Sequence, residues 1–332
     1  MVRFGLLGFG QHCVRRLVPA FPGARSSVLA GLWRRDLEKA AASAREYNLE
    51  HAFRTAEELC ASPEIDVVFV TSPDALHFPH VLLALSHGKH VLCEKPLGMN
   101  ASQVEQMVAA ANAGGLCLGV AQNFRYNASV EVMRDWLADG RIGKPVLAHA
   151  QFCYPADTSP RQWIYDPALA CGGPIGDVAI HCIDALRFVL DSRVAAVSTL
   201  ARADAVSAPL EAYAAIGLDF VCGAMGAVTV STRGAYRSLI EVTGETGAIV
   251  SQFGFTVETD VDVELWQGGQ VVECKTVSNS DGYTRMLDSF ADWVEGRGAY
   301  RAPATDGLHN QRILDAAYAS WRTGKREELG LP

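Results

Sequence analysis

The sequence predicts two folded units of different class: a doubly wound parallel α/β sheet, then an α+β unit with a large, mainly antiparallel open sheet. Three observations predict this. Short apolar runs alternate with helical stretches from Val2 to about Asn123; beyond that, strands follow one another with few helices between; and 332 residues exceed what one core usually organises. The boundaries read as 1–123 for a Rossmann-type domain and 124–332 for the second. The helices from about residue 283 are expected to pack back near the first domain.

The strands of the first domain are RFGLLGFG, SVLAGLW, IDVVFVTS, HVLCEK and LCLGVAQN, separated by helical patterns such as LEKAAASAREYN and FPHVLLALSHG. They are apolar nearly throughout, as strands are when helices cover both faces of a parallel sheet. The opening MVRFGLLGFG is read as the first buried strand and its turn rather than as a leader, because its glycines suit a turn. NASVEVMRDWLADGRIG reads as a helix ended by glycine. KPVLAHAQF, AAVSTLARA, YAAIGLDFV, AMGAVTVSTR, SLIEVTG and DVELWQ then read as strands, with one helix near DVAIHCIDALRFVL expected to precede the sheet. From Tyr283 the pattern returns to helix.

Composition excludes several function classes. A net charge of −8 offers no basic field for nucleic acid. No apolar run reaches the ~18 residues that cross a bilayer. Nine cysteines without a Cys-x-x-Cys pair argue against a disulfide framework and for a reducing, cytoplasmic setting. Most, such as Cys117 and Cys222, are expected as small buried hydrophobes in strand-like runs. His77 and His80, and His87 and His90, are three apart, but neither pair has an obvious acidic or thiolate partner, so no metal site is assigned.

Gly8 and Gly10 follow the first strand directly and precede a helical segment containing Val14, Leu17 and Val18. In such a turn one glycine permits the bend, a second lets a pyrophosphate approach the backbone, and the helix N-terminus supplies amides. The turn Gly8-Phe9-Gly10-Gln11-His12 is therefore the expected dinucleotide site, with Cys13 where a third glycine would stand. At the end of the second strand the chain reads Trp33-Arg34-Arg35-Asp36, not the acid that binds the ribose hydroxyls of NAD. Two guanidiniums there suit a 2′-phosphate, favouring NADP over NAD; alternatively they are the solvated start of a helix capped by Asp36.

HVLCEKPLGMN, following TSPDALHFPHVLLALSHGK, resembles the glucose-fructose oxidoreductase and inositol dehydrogenase (Gfo/Idh/MocA) family. The resemblance runs on through VAQNFRYNASV, WIYDPALACGGPIGDVAIHCID and IEVTGETGAIV, nearly the whole chain. It implies an NAD(P)-dependent dehydrogenase or reductase acting on CH-OH groups of a sugar, inositol or related polyol, assembled as a homodimer or homotetramer. The family's catalytic lysine corresponds to Lys95, and a cis Lys95-Pro96 bond is implied. A lysine at the carboxyl end of a parallel strand could hydrogen-bond the reacting oxygen and stabilise charge on it. Asp177 and His181 are four apart, on one helical face, and the imidazole is suited to exchange the hydroxyl proton near neutral pH. Asp177 either orients His181 or accepts a hydrogen bond from a substrate hydroxyl.

By the same resemblance Thr71, Ser72, Pro73, His77, Glu94, Asn123 and Trp163 contact the cofactor, and Arg125 joins Lys95, Asp177 and His181 at the substrate. Gly172 and Gly173 are expected to let a helix N-terminus approach the nicotinamide. One departure is Ile164 where the family often has arginine after the tryptophan. Two rivals use the same chain: a lyase or glycosidase that retains its nicotinamide and oxidises transiently, and a non-catalytic nucleotide sensor. Substrate identity and physiological direction are not encoded in the motifs.

Overall fold

The computed structural model describes residues 1–156 and 161–330. The chain divides into two compact units, one of residues Met1–Gln122, Ala168–Cys171 and Tyr283–Gln311, the other of the remainder.

The first unit holds six strands: β1 (Val2–Leu7), β2 (Ser27–Trp33), β3 (His51–Ala52), β4 (Val67–Val70), β5 (His90–Cys93) and β6 (Leu118–Val120). Their spatial order is β3-β2-β1-β4-β5-β6, and every pair is parallel, the Rossmann-type sheet read from the alternation. All four β4 residues, Val67 to Val70, are buried, which is why the run carries no polar alternation. The helices α1 (Leu37–Glu46), α2 (Ala56–Ala61), α3 (His77–Ser86) and α4 (Ala101–Ala113) connect the strands. The segment after Gly10 departs from the expected helix. It is a wide π turn over Cys13–Leu17 running into a 3-10 turn over Val18–Gly23, where Pro19 and Pro22 remove donors that a regular helix needs. Later in the chain, Phe290 closes this unit's core edge-on to Phe4 and Tyr300.

The second unit is a nine-stranded mixed sheet with α5 (Ala128–Ala138) and α6 (Ile180–Leu190). Its strands are β7 (Pro145–Cys153), β8 (Val194–Arg202), β9 (Tyr213–Phe220), β10 (Met225–Ser231), β11 (Ile240–Gly244), β12 (Ala248–Ser251), β13 (Asp260–Gln267), β14 (Gln270–Ser278) and β15 (Glu327–Glu328). The order is β14-β13-β12-β11-β7-β10-β9-β8-β15, antiparallel except where β7 pairs with β10. The expected place of α6 is corrected: β7 precedes it in the chain, and that crossover makes the parallel pair. Ala148, Ala150, Val228, Val230, Ile216 and Leu218 form the buried face, and every residue of α6 is buried, as befits a helix apolar on nearly all sides. The opposite face exposes Leu147, Leu200, Tyr213 and Met225.

All nine cysteines are free. Cys13, Cys60, Cys93 and Cys182 are buried, but Cys117 and Cys222 sit half-buried just outside strands rather than within them. Among the described residues no helix is long and apolar enough to cross a membrane.

Candidate active site

The loop after β1 is shaped by contact with the loop after β4. Gly8 has φ of 101°, and a Cβ there would lie 2.7 Å from the Ser72 nitrogen, so only glycine fits. The Thr71 hydroxyl donates to the Gly8 carbonyl. Cys13 adds a further tie, its Sγ lying 3.4 Å from Gly8 O and 3.3 Å from Thr71 Oγ1, so the residue in the third glycine position is a buried latch. Burial pushes its thiol up to about 11, opposed by the Thr71 contact. A Cβ at Gly10 would meet no atom within 4 Å, which leaves an open approach to the backbone beside the first helical amides. His12 is half-buried and Gln11 exposed, whereas the Phe9 ring is buried beside Tyr47, so at Phe9 only the backbone is offered.

At the end of β2, Asp36 caps α1 by accepting the Lys39 N–H at 3.1 Å and pairs with the Lys39 ammonium at 2.9 Å. These contacts hold its carboxyl below the ordinary range. The capping half of the alternative holds for Asp36. Arg34 is half-buried and Arg35 exposed, and neither makes a hydrogen bond or ion pair among the described residues.

His77 is fully buried, with Nδ1 2.7 Å from Pro96 O and Nε2 2.9 Å from Ser72 O. Its ring ties the loop after β4 to the turn after β5 from inside. His80 Nδ1 lies 2.9 Å from Ser72 Oγ, and His90 Nδ1 accepts the Cys117 N–H at 3.0 Å. Half-buried Lys95 follows β5, and the Lys95-Pro96 bond is cis. Glu94 Oε1 lies 3.0 Å from His12 Nε2. Burial alone would raise the Glu94 carboxyl, but His12 and Lys95 outweigh it and hold it low. The turns after β1, β4 and β5 thus meet at one edge of the sheet, the carboxyl edge where ligands bind in such folds.

In the second unit, Asp177 lies in a π turn over Ile175–Ala179 that leads into α6, and His181 is the second residue of that helix. The Tyr154 hydroxyl donates to Asp177 Oδ2. Arg161 donates from Nη1 to Oδ1 at 3.4 Å, from Nη2 to Oδ2 at 3.3 Å, and from Nη2 to the Tyr154 oxygen at 3.1 Å. Burial, then the Asp177 charge, pushes the Tyr154 hydroxyl far up, so it stays a donor. The His181 ring packs edge-on to Phe124 at 4.6 Å and near Phe152 at 6.4 Å.

Tyr154 and Arg161 were not anticipated. Their signal in the sequence is slight: Arg161 stands two residues before Trp163, while Ile164, at the position where arginine was expected, is buried. Trp163 is half-buried in a 3-10 turn over Gln162–Tyr165.

Arg125 is buried in a bidentate pair with Asp184, Nε to Oδ2 at 2.8 Å and Nη2 to Oδ1 at 2.6 Å, and so braces α6 from within. A Cβ on Gly172 would fall 1.5 Å from the Tyr318 hydroxyl, and one on Gly173 1.9 Å from Glu211 O. Both glycines are therefore required by packing inside this unit. Asn123 is buried, with Nδ2 lacking a partner among the described residues.

Comparison with known proteins follows this division. Residues 2–122 match the model of an oxidoreductase family with an NAD-binding Rossmann fold, and residues 130–250 match the GFO/IDH/MocA C-terminal domain. The chain is 29% identical to a 1,5-anhydro-D-fructose reductase from Ensifer adhaerens over 99% of both chains. It is 30% identical to an NADP(+) D-xylose 1-dehydrogenase from Haloarcula marismortui, over 93% of this chain and 87% of that one. The crystal structure of an aldose-aldose oxidoreductase from Caulobacter crescentus superposes with a TM-score of 0.91 at 23% identity, covering 99% of each, a likeness of fold.

Proposed function

The chain belongs to the GFO/IDH/MocA family of NAD(P)-binding oxidoreductases, and from that premise we propose that it transfers hydride between a nicotinamide cofactor and a CH-OH carbon of a sugar, inositol or related polyol. The observation that carries the reading is the meeting, at one sheet edge, of the Gly8–Gly10 turn, Thr71 and Ser72, and half-buried Lys95. The open approach to Gly10 fits a pyrophosphate. The backbone of Gly8 to His12, Thr71, Ser72, Pro73, Glu94, Lys95, Asn123 and Trp163 would hold the cofactor, which when bound supplies or accepts the hydride.

Lys95 donates a hydrogen bond to the reacting oxygen and stabilises the charge that grows there. His181 takes the hydroxyl proton in the oxidative direction and returns it in the reductive one. Asp177, fixed by Tyr154 and Arg161, sets the local charge and accepts a neighbouring hydroxyl. Arg34 and Arg35 bind a 2′-phosphate, so NADP is preferred over NAD. The name of the Haloarcula relative, which specifies NADP(+), supports that preference. The exposed sheet face with Leu147, Leu200, Tyr213 and Met225 pairs two or four copies of the chain.

The test is turnover of sugars, inositols and deoxy-sugars with NADP or NAD, followed by absorbance of the reduced nicotinamide, with Lys95→Ala alongside. The reading predicts NADP-preferring reduction that falls by at least about a hundredfold in the variant. Product without net cofactor reduction would favour the retained-cofactor lyase, and cofactor binding without any turnover the sensor.

A further inference from the structure

Glu211, in the turn before β9, is 1% exposed. Its Oε1 accepts the Ile175 backbone N–H at 2.8 Å and the Tyr318 hydroxyl at 3.0 Å. Oε2 is buried and has no hydrogen-bond partner among the described residues. A carboxylate so placed is costly to keep, and burial pushes it up against the opposing pull of the Ile175 and Gly173 amides and Tyr318.

What it grips is the segment that carries chemistry. Ile175 opens the turn holding Asp177, and the same run of chain continues into α6 with His181. An acid at the first amides of a helical segment answers donors that have no intrahelical partner. Gly172 and Gly173 let that turn sit against Tyr318 and Glu211, since a Cβ at either would collide.

We propose that Glu211 is a positioning residue: it clamps the turn at Ile175 and so fixes where the Asp177 and His181 side chains act. The inference rests on the function proposed above. Small displacements of reacting groups are costly in rate, so loosening this turn should lower kcat more than substrate or cofactor binding.

Glu211→Gln keeps an oxygen for both donors, whereas Glu211→Ala removes it; Tyr318→Phe removes one donor only. Hydrogen–deuterium exchange of the peptide spanning 175–183 is read beside kcat and KM in all three. The expected result for Glu211→Ala is exchange faster by about tenfold or more and kcat lower by about tenfold, with cofactor KM unchanged. Glu211→Gln should return both to within about threefold of wild type. The proposal is overturned if Glu211→Ala lowers Tm but leaves exchange of that peptide and kcat intact, or if Glu211→Gln is as impaired as Glu211→Ala. If the wild-type chain turns over no substrate, the functional reading fails separately, and the exchange series still decides the clamp. Should Glu211→Ala not fold, Tyr318→Phe decides: faster exchange of that peptide, with Glu211→Gln matching wild type, supports the proposal, and unchanged exchange in Tyr318→Phe overturns it.

Discussion

Arg161 holds Asp177 by two contacts, Nη2 to Oδ2 at 3.3 Å and Nη1 to Oδ1 at 3.4 Å. The Tyr154 hydroxyl closes the triangle by donating to the same carboxylate while accepting from Arg161. Asp177 is thereby fixed in direction, four residues ahead of His181. Arg161→Ala should lower kcat/KM by about 10- to 100-fold while leaving cofactor binding unchanged, as steady-state kinetics and cofactor titration would report. An unaltered kcat/KM would remove Asp177 orientation from the account.

The two glycines after β1 have separate roles. Gly8→Ala places a Cβ 2.7 Å from the Ser72 nitrogen at a left-handed φ, and should destabilise the chain by about 2 kcal/mol or more in denaturant unfolding. Gly10→Ala meets nothing within 4 Å and should leave stability within about 0.5 kcal/mol while weakening cofactor binding by about tenfold or more. Equal effects of the two on stability would contradict this division.

Arg34 and Arg35 make no hydrogen bond or ion pair among the described residues, so their removal breaks none. The double variant Arg34→Ala/Arg35→Ala should lose about 10- to 100-fold in affinity for NADP and little for NAD, measured by fluorescence titration. A parallel loss for both cofactors would place these side chains at the shared pyrophosphate rather than at a 2′-phosphate.

His80 is pushed down to about 4, first by burial and then by His77. Its folded value lies below the ordinary one of about 6.5, so the neutral ring contributes stability that is present above that value and is lost as pH falls toward 4. Urea unfolding at about pH 7.5 and about pH 4.5 should show a larger loss for the wild-type chain than for His80→Gln, which cannot titrate. The same loss in both would assign the pH dependence to other groups.

Local pattern made much of this legible. The apolar β4 run, the glycines after β1, and Lys95 at the end of β5 are features that one stretch of chain carries alone. What the pattern did not carry was pairing across sequence. Arg125 and Asp184 are 59 residues apart, and only the fold turns an arginine beside a recognisable motif into a buried brace. His77 likewise gives no sign in the sequence of its two carbonyl partners. Glu211 gave no signal, because an acidic residue before a strand is ordinary until the Ile175 amide is found against it. The irregular turn after Gly10 was readable in principle from Pro19 and Pro22, which outweigh the apolar spacing of Val14, Leu17 and Val18.

The central claim is direct hydride transfer with net release of reduced cofactor. It is tested most directly with a turned-over substrate carrying deuterium on its carbinol carbon, the label being followed by mass spectrometry into the released nicotinamide. The account predicts one deuterium on the reduced cofactor for each product formed, abolished in Lys95→Ala. Product formed with no labelled cofactor released would contradict it.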